Sequence, residues 1–305
     1  MRITFATDWK AQAEHGGFYQ AKALGLYAAR GLDVTIRMGG PAQDNPRLIA
    51  AGAIDLAMAS NNFQPLNLIA AGAKVKAVMA SFQKDPQVLM THPEDRLADF
   101  RALRGRPVIM SDSAINTWWP WLKSKYGLSD RQIRKYTYSL APWLVNPGAV
   151  QEGYLSSEPF SAAAQGVLPN VYLLADHGYH GYSAMIMASE QFLERHEPAL
   201  RGFVEATIEG WYSYLHDDPA PADALIKSDN PETTDALLAY SRSAMKDYGI
   251  VESGDAEALG IGAMTDARWQ AFFEDMAGLG LFDPELDYSQ AYTTRFVNQR
   301  HGARQ

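Results

Sequence analysis

The chain contains no cysteine. That excludes disulfide scaffolds, Cys-ligated metals, iron–sulfur clusters and thiol nucleophiles. No run approaches the roughly 18 apolar residues of a membrane span; the longest candidate, LNLIAAGAKVKAVMASF, is broken by Gly and Lys. Internal repeats and low-complexity segments are lacking. So are P-loop, G-x-S-x-G, H-E-x-x-H and G-x-G-x-x-G patterns, which leaves phosphate cradles, hydrolase elbows and zincin sites without sequence support. Basic side chains are outnumbered, 27 against 35 acidic, for a net charge of −8. An unclustered acidic balance argues against nucleic acid and against an anionic membrane surface as partner. No metal and no cofactor are expected.

What is present is a regular alternation. A length of 305 residues suits two domains. RITFA reads as a strand, FYQAKALGLYAA as a helix, DVTIRM as a strand and NPRLIAA as a helix. IDLAMAS, PLNLIAA and VKAVMASF then read as strand, helix and strand. Gly31, Gly52 and Gly72 stand just past the three helices, where a left-handed cap is needed. Asn45 followed by Pro46 reads as N-cap and first turn. Strands alternating with helices of this length imply a parallel sheet.

A second α/β set follows Lys84-Asp85-Pro86. VLMTH, RPVIM, IRKYTY, GYLSS and VYLLA read as strands, and LADFRAL, NTWWPWLKSKY and PFSAAAQ as helices. SAMIMAS reads as a further buried strand, and after Ser189 the chain becomes mostly helical. This plan predicts two α/β lobes. Residues 1–84 and 187–305 form a discontinuous first lobe and 85–186 the second, with crossovers at Gln83–Pro86 and His177–Ser183. An interlobe cleft that binds a small molecule is the expected site, because strand ends and helix N-termini in such folds point there.

The candidate site residues sit at those ends. Trp9, at the end of the first strand, offers an aromatic face for a planar ring, or else packs in the core. Asp8 beside it is an acceptor-only carboxylate when ionised. Glu14 and His15 precede a helix opened by Gly16-Gly17, either as ligand groups or as an exposed loop; glycines there would let a ligand approach the backbone. Gly39 begins a turn that lines the cleft. Asn61 and Asn62 follow the third strand; one of them meets the ligand, or Asn62 caps the helix near Pro65. Ser111, Asp112 and Ser113 precede the NTWWPWLKSKY helix, which Asn116 opens, and read as a polar-oxygen site, with Asn116 a further candidate, or as N-caps alone. One of Trp118, Trp119 and Trp121 is expected to face the cleft, Trp118 being the candidate. Glu158 stands at a strand end where a helix begins. Its carboxylate suits two N–H donors, or simply the helix dipole. Tyr179 lies in DHGYHGYS, a hinge from which a tyrosine is expected to reach the ligand. His177 and His180 lack a third ligand and the spacing of a zinc site.

Five stretches together resemble the family of periplasmic ligand-binding proteins related to thiamine-pyrimidine synthase, the NMT1/THI5-like group. They are DWKAQAEHGGFYQAKALGLYAARGLDV, GGPAQDN, LIAAGAIDLAMASN, FQKDPQVLMTHPE and GYLSSEP. The resemblance spans roughly residues 3–215. It implies an α/β, periplasmic-binding-protein-like fold: two α/β lobes joined by two crossovers, with a helical C-terminal tail. It also implies a solute receptor that passes a small planar heterocycle, a pyrimidine-type thiamine precursor or a relative, to an ABC transporter permease. Members also take riboflavin or sulfonates. The family's Asn-Trp resembles Asp8-Trp9, which favours stacking by Trp9, while Asp8 departs from the amide. A glutamate matching Glu158 faces the ligand's base edge in the family. The chain is expected to act as a monomer without turnover. The competing reading is a thiamine-pyrimidine synthase-like enzyme that uses pyridoxal phosphate and its own histidine, with Lys84 or His15 nominated; the absence of Cys counts against it. A cytoplasmic sensor is the third reading. A removed leader would place the protein in the periplasm or on a lipid anchor, and a native Met1 in the cytoplasm.

Overall fold

The computed structural model describes residues 1–41 and 43–303. Ten strands are present among the described residues: β1 (Arg2–Ala6), β2 (Asp33–Arg37), β3 (Leu56–Asn61), β4 (Val75–Phe82), β5 (Gln87–Thr91), β6 (Val108–Met110), β7 (Ile133–Lys135), β8 (Val150–Tyr154), β9 (Asn170–Leu173) and β10 (Ser183–Ser189). They form two five-stranded sheets, ordered β2-β1-β3-β10-β4 and β7-β6-β8-β5-β9. Neither sheet is purely parallel. β10 pairs antiparallel with both β3 and β4, and β5 pairs antiparallel with both β8 and β9. The two sheets therefore share one topology, in which the odd strand is the first one made after the chain changes unit.

The chain divides into two compact units. The first holds Met1–Asp85, Gly181–Gln270 and Asp287–Gln305, and the second Pro86–His180 and Ala271–Leu286. The boundary expected at residue 186 falls inside β10. That strand is bonded on both edges within the first sheet, so residues 181–186 belong to the first unit. Residues 271–286, expected in the first lobe, go with the second, where Phe272 meets Tyr179 at 5.9 Å between ring centroids. The expected α/β class with a helical C-terminal region is the one found.

In the first unit the edge strand β2 alternates between buried and exposed residues, while β3 and β10 are almost continuously buried, as central strands covered on both faces must be; β4, at the other edge, is nearly as buried. Phe5 packs on Phe18 at 4.6 Å and on Phe203 at 5.4 Å. These rings join the sheet to the helices Gly16–Ala23 and Glu197–His216. The two helices approach closely enough that a Cβ on Gly16 would stand 2.0 Å from the Tyr214 ring, and one on Gly17 2.3 Å from the Trp211 ring. Gly16 and Gly17 therefore serve helix packing, and the expected ligand approach at their backbone is filled by those two rings.

The helix expected over 18–29 stops at Ala23. Gly25 turns it with φ +71°, and a short 3-10 turn, Ala28–Arg30, follows. Gly31, Gly52 and Gly72 all adopt positive φ, as the cap reading required. The cap of Asn45–Ala50 lies one residue earlier than expected. Asp44 accepts from the Arg47 N–H, while the Asn45 amide is buried and donates to the carbonyls of Ala6 and Met58. An amide that can tie two strands together is more useful inside than at a solvated helix end. LADFRAL forms only a 3-10 turn, Phe100–Leu103. The helix expected over NTWWPWLKSKY begins at Trp118 and runs to Tyr126, and a separate short helix, Asp112–Ile115, precedes it.

Candidate functional site

At the carboxyl end of β1, Asp8 is held from two sides. Its Oδ2 accepts from the Ser60 hydroxyl at 2.6 Å, and its Oδ1 lies 3.2 Å from His15 Nε2. Ser60 comes from β3, the neighbour of β1, so the bridge spans adjacent strands. The Asp8 side chain keeps 19% of its surface exposed, whereas His15 is buried. Trp9 is half-buried. Its carbonyl accepts from Gly39 N–H at 3.1 Å and from the Thr7 hydroxyl at 2.9 Å. A Cβ on Gly39 would stand 2.4 Å from the Thr7 carbonyl, so that glycine is required by a backbone crossing.

Glu14 and His15 are both buried in the 3-10 turn Ala13–His15 rather than displayed on an exposed loop. The reason lies in the tail. Asn230 Nδ2 and the Thr233 hydroxyl both donate to the Ala11 carbonyl, and Lys10 pairs with Glu232 at 2.6 Å. Asn61 Oδ1 accepts from Phe63 N–H at 3.1 Å, opening the helix Phe63–Ala70. Asn62 is fully buried and does not cap that helix with its side chain; its Oδ1 accepts from Tyr182 N–H at 2.5 Å. The first unit thus gathers Asp8, Trp9, His15 and Ser60 at one strand end, while Asn62 and Gly39 have structural duties.

In the second unit the corresponding end is built around two glutamates. Glu152, on β8, is buried and accepts from both the N–H and the hydroxyl of Ser111, the latter at 2.9 Å. Burial pushes its carboxyl up to about 7, the two Ser111 bonds pulling the other way and the nearby Glu158 adding to the rise. Glu158 accepts from Tyr136 OH at 3.2 Å, from Tyr154 N–H at 2.7 Å and from the Ser157 hydroxyl at 2.5 Å. Burial and the Glu158 charge raise the Tyr136 phenol well above its ordinary value. Tyr138, 48% exposed, stands 5.2 Å from Tyr136 between ring centroids.

The remaining candidates divide. Ser111 is the N-cap of Asp112–Ile115, accepting from Ala114 N–H at 3.2 Å, and so combines both roles read for it. Ser113 and Asn116 are exposed, and Asn116 Nδ2 donates to the Asp112 carbonyl at 2.8 Å. Trp118, Trp119 and Trp121 are all buried. Trp119 Nε1 donates to Asp130 at 2.8 Å, and Trp121 packs on Tyr179 at 5.1 Å. Tyr179 is fully buried between Trp121 and Phe272, so the reach toward a ligand expected of it gives way to core packing. His177 packs on Phe100 at 4.7 Å. Among the described residues no cluster of three or more His, Asp or Glu side chains is placed to hold a metal ion.

Sequence reasoning missed Ser60, Tyr136 and Glu152. A signal existed for Glu152: an acid inside a strand that is otherwise buried (VQEGY) must find donors.

A family model described as NMT1/THI5 like matches residues 12–222. The riboflavin-binding protein RibY of Chloroflexus aurantiacus is 25% identical over 303 residues, 97% of this chain and 86% of that protein. Among solved structures, the periplasmic aliphatic sulphonate binding protein SsuA of Escherichia coli superposes with a TM-score of 0.70 at 14% identity, covering 95% of this chain and 91% of the other. The desulfurization enzyme DSZB superposes with a TM-score of 0.61 at 11% identity, covering 98% of each chain. At these identities the structural likenesses establish the fold.

Proposed function

The chain belongs to the NMT1/THI5-like family, and from that premise we propose that it is the substrate-binding receptor of an ABC importer for a small planar heterocycle. The ring edge the ligand presents is of pyrimidine type, as in a thiamine precursor or a flavin. One observation carries this reading. Asp8 is a partly exposed carboxylate fixed by Ser60 and His15 directly beside the half-buried Trp9. A carboxylate has about four acceptor positions, so two bonds leave capacity for ring N–H donors. An indole beside it supplies a stacking surface. The second unit has groups of the same kind at its own strand end, the Glu158 carboxylate bonded to Tyr136 and the exposed ring of Tyr138. The riboflavin-binding relative supports a heterocycle; the sulfonate-binding neighbours share the fold and suit a site with cations, whereas the groups gathered at Asp8 include a carboxylate. The receptor acts outside the cytoplasmic membrane as a monomer, hands its ligand to the permease and does not alter it.

Calorimetry with riboflavin, an aminopyrimidine thiamine precursor and an alkanesulfonate tests the reading. One heterocycle should bind and raise the melting temperature by mass action. Asp8→Asn, Trp9→Ala and Glu158→Gln should each weaken it by about 1–3 kcal/mol. Binding of the alkanesulfonate alone, or unchanged affinity in all three variants, overturns the proposal. The fold shared with a desulfurization enzyme makes a turnover assay worthwhile: more than one equivalent of new product per protein, with pyridoxal phosphate and iron supplied, would replace the receptor by an enzyme.

A further inference from the structure

The chain passes between its two compact units four times, after Asp85, His180, Gln270 and Leu286. Arg268 stands at three of these passages. It lies on the helix Asp266–Gly278, which itself makes the third. Its guanidinium donates to the Gln83 carbonyl, to Gln83 Oε1 at 3.3 Å and to the Gly181 carbonyl at 3.3 Å. Gln83 lies two residues before the first passage, and Gly181 is the first residue after the second. All three residues belong to the first unit.

The guanidinium is also fixed from behind. It lies over the Tyr182 ring at 4.3 Å and within 3.8 Å of Asp255. Tyr182 OH donates to Asp255, and Thr265 N–H donates to Tyr182 OH at 2.9 Å. Gln83 Nε2 donates to the Ala263 carbonyl at 2.9 Å, which holds its Oε1 toward the arginine. A planar fork with five donors can serve two backbone carbonyls and a side chain at once; an ammonium cannot hold that geometry. The network is half-buried, and side chains tied to one another by several bonds hold one another in place.

We infer that Arg268 is a clamp that joins the segments around Gln83 and Gly181 into one mechanical element. Neither segment can change its backbone conformation without breaking a bond to the same guanidinium. Hinges of two-lobed proteins are a few loop or element-terminal residues that absorb such changes, and here two of them are fastened to a third passage by one side chain. The inference does not rest on the identity of the ligand.

Hydrogen exchange resolved to single amides tests it. The reporters are Gln83 and Lys84 N–H, both bonded to the Ile250 carbonyl at 2.7 and 3.2 Å, and Tyr182 N–H, bonded to Asn62. In Arg268→Met, exchange at all three should accelerate together, by about tenfold or more, while β1 amides keep their protection. Arg268→Lys should show the same joint loosening to a smaller extent, and it supplies the measurement if the methionine variant does not fold. Acceleration at only one of the two segments, or wild-type exchange at both in the lysine variant, overturns the clamp.

Discussion

The two units solve the same problem with the partners exchanged. In each sheet the carboxyl ends of two neighbouring parallel strands, β1 with β3 and β6 with β8, are tied by a hydroxyl–carboxylate bond. In the first unit the carboxylate, Asp8, follows β1 and the hydroxyl, Ser60, lies on β3. In the second the hydroxyl, Ser111, follows β6 and the carboxylate, Glu152, lies on β8. The exchange changes the chemistry. A carboxylate in the loop after a strand stays partly solvated, and Asp8 does. One inside a strand is buried with the sheet, and Glu152 is pushed up to about 7 for that reason. Placement along one topology decides which of the two acids is sealed from water: Glu152 is, and Asp8 is not.

The largest expected effect tests how differently the units pack around these ends. In the first unit the helix after β1 meets Glu197–His216 through glycine, and a Cβ on Gly17 would lie 2.3 Å from the Trp211 ring. In the second, Trp118–Tyr126 packs through buried tryptophans. Gly17→Ala should therefore destabilise by about 3 kcal/mol, the upper end for overpacking. Urea denaturation measures it; a loss under about 0.5 kcal/mol, the size of an ordinary surface change, would show that the helices can simply move apart.

Next comes Glu152. Its carboxyl is raised from 4.5 to about 7 in the folded protein. The protonated form is thus favoured by folding. Stability is fully present below about 4.5 and is lost as pH rises through about 7, by on the order of 3 kcal/mol in all. Glu152→Gln should remove this slope between pH 5 and 8. An unchanged slope in the glutamine variant would assign the pH dependence to other groups.

The legible parts of the molecule were those with local causes. Gly31, Gly52 and Gly72 could be read as left-handed caps because a helix end states its own requirement. The alternation of strands was visible, but the antiparallel places of β5 and β10 were not, since nothing local in SAMIMAS distinguishes the two directions. Asp8 and Glu158 could be named from strand ends. Their distant partners could not: Ser60 lies 52 residues from Asp8, and Tyr136 lies 22 residues from Glu158. Gly16 and Gly17 misled for the same reason, because the side chains that need their space come from a helix nearly two hundred residues later. Asn45 and Asp44 are adjacent candidates for one cap, and only the buried carbonyls of Ala6 and Met58 decide between them.

The smallest effects compare the two hydroxyls themselves. Ser111→Ala removes two things: the hydroxyl donor to the buried Glu152, which helps hold its charge, and the acceptor that caps Asp112–Ile115. A cap is worth about 1 kcal/mol and a bond to a charged group about 1.5–3, so a loss of about 2.5–4 kcal/mol is expected near pH 8. At pH 5, where Glu152 is protonated, less should be lost. Ser60→Ala removes one bond to a carboxylate that water can still reach, and about 0.5–1 kcal/mol is expected at either pH. Denaturation of the two variants at pH 5 and pH 8 gives four numbers. The ranking fails if Ser60→Ala costs as much as Ser111→Ala at pH 8. That result would mean the Asp8 end is as tightly sealed as the Glu152 end, and that burial does not separate the two bridges.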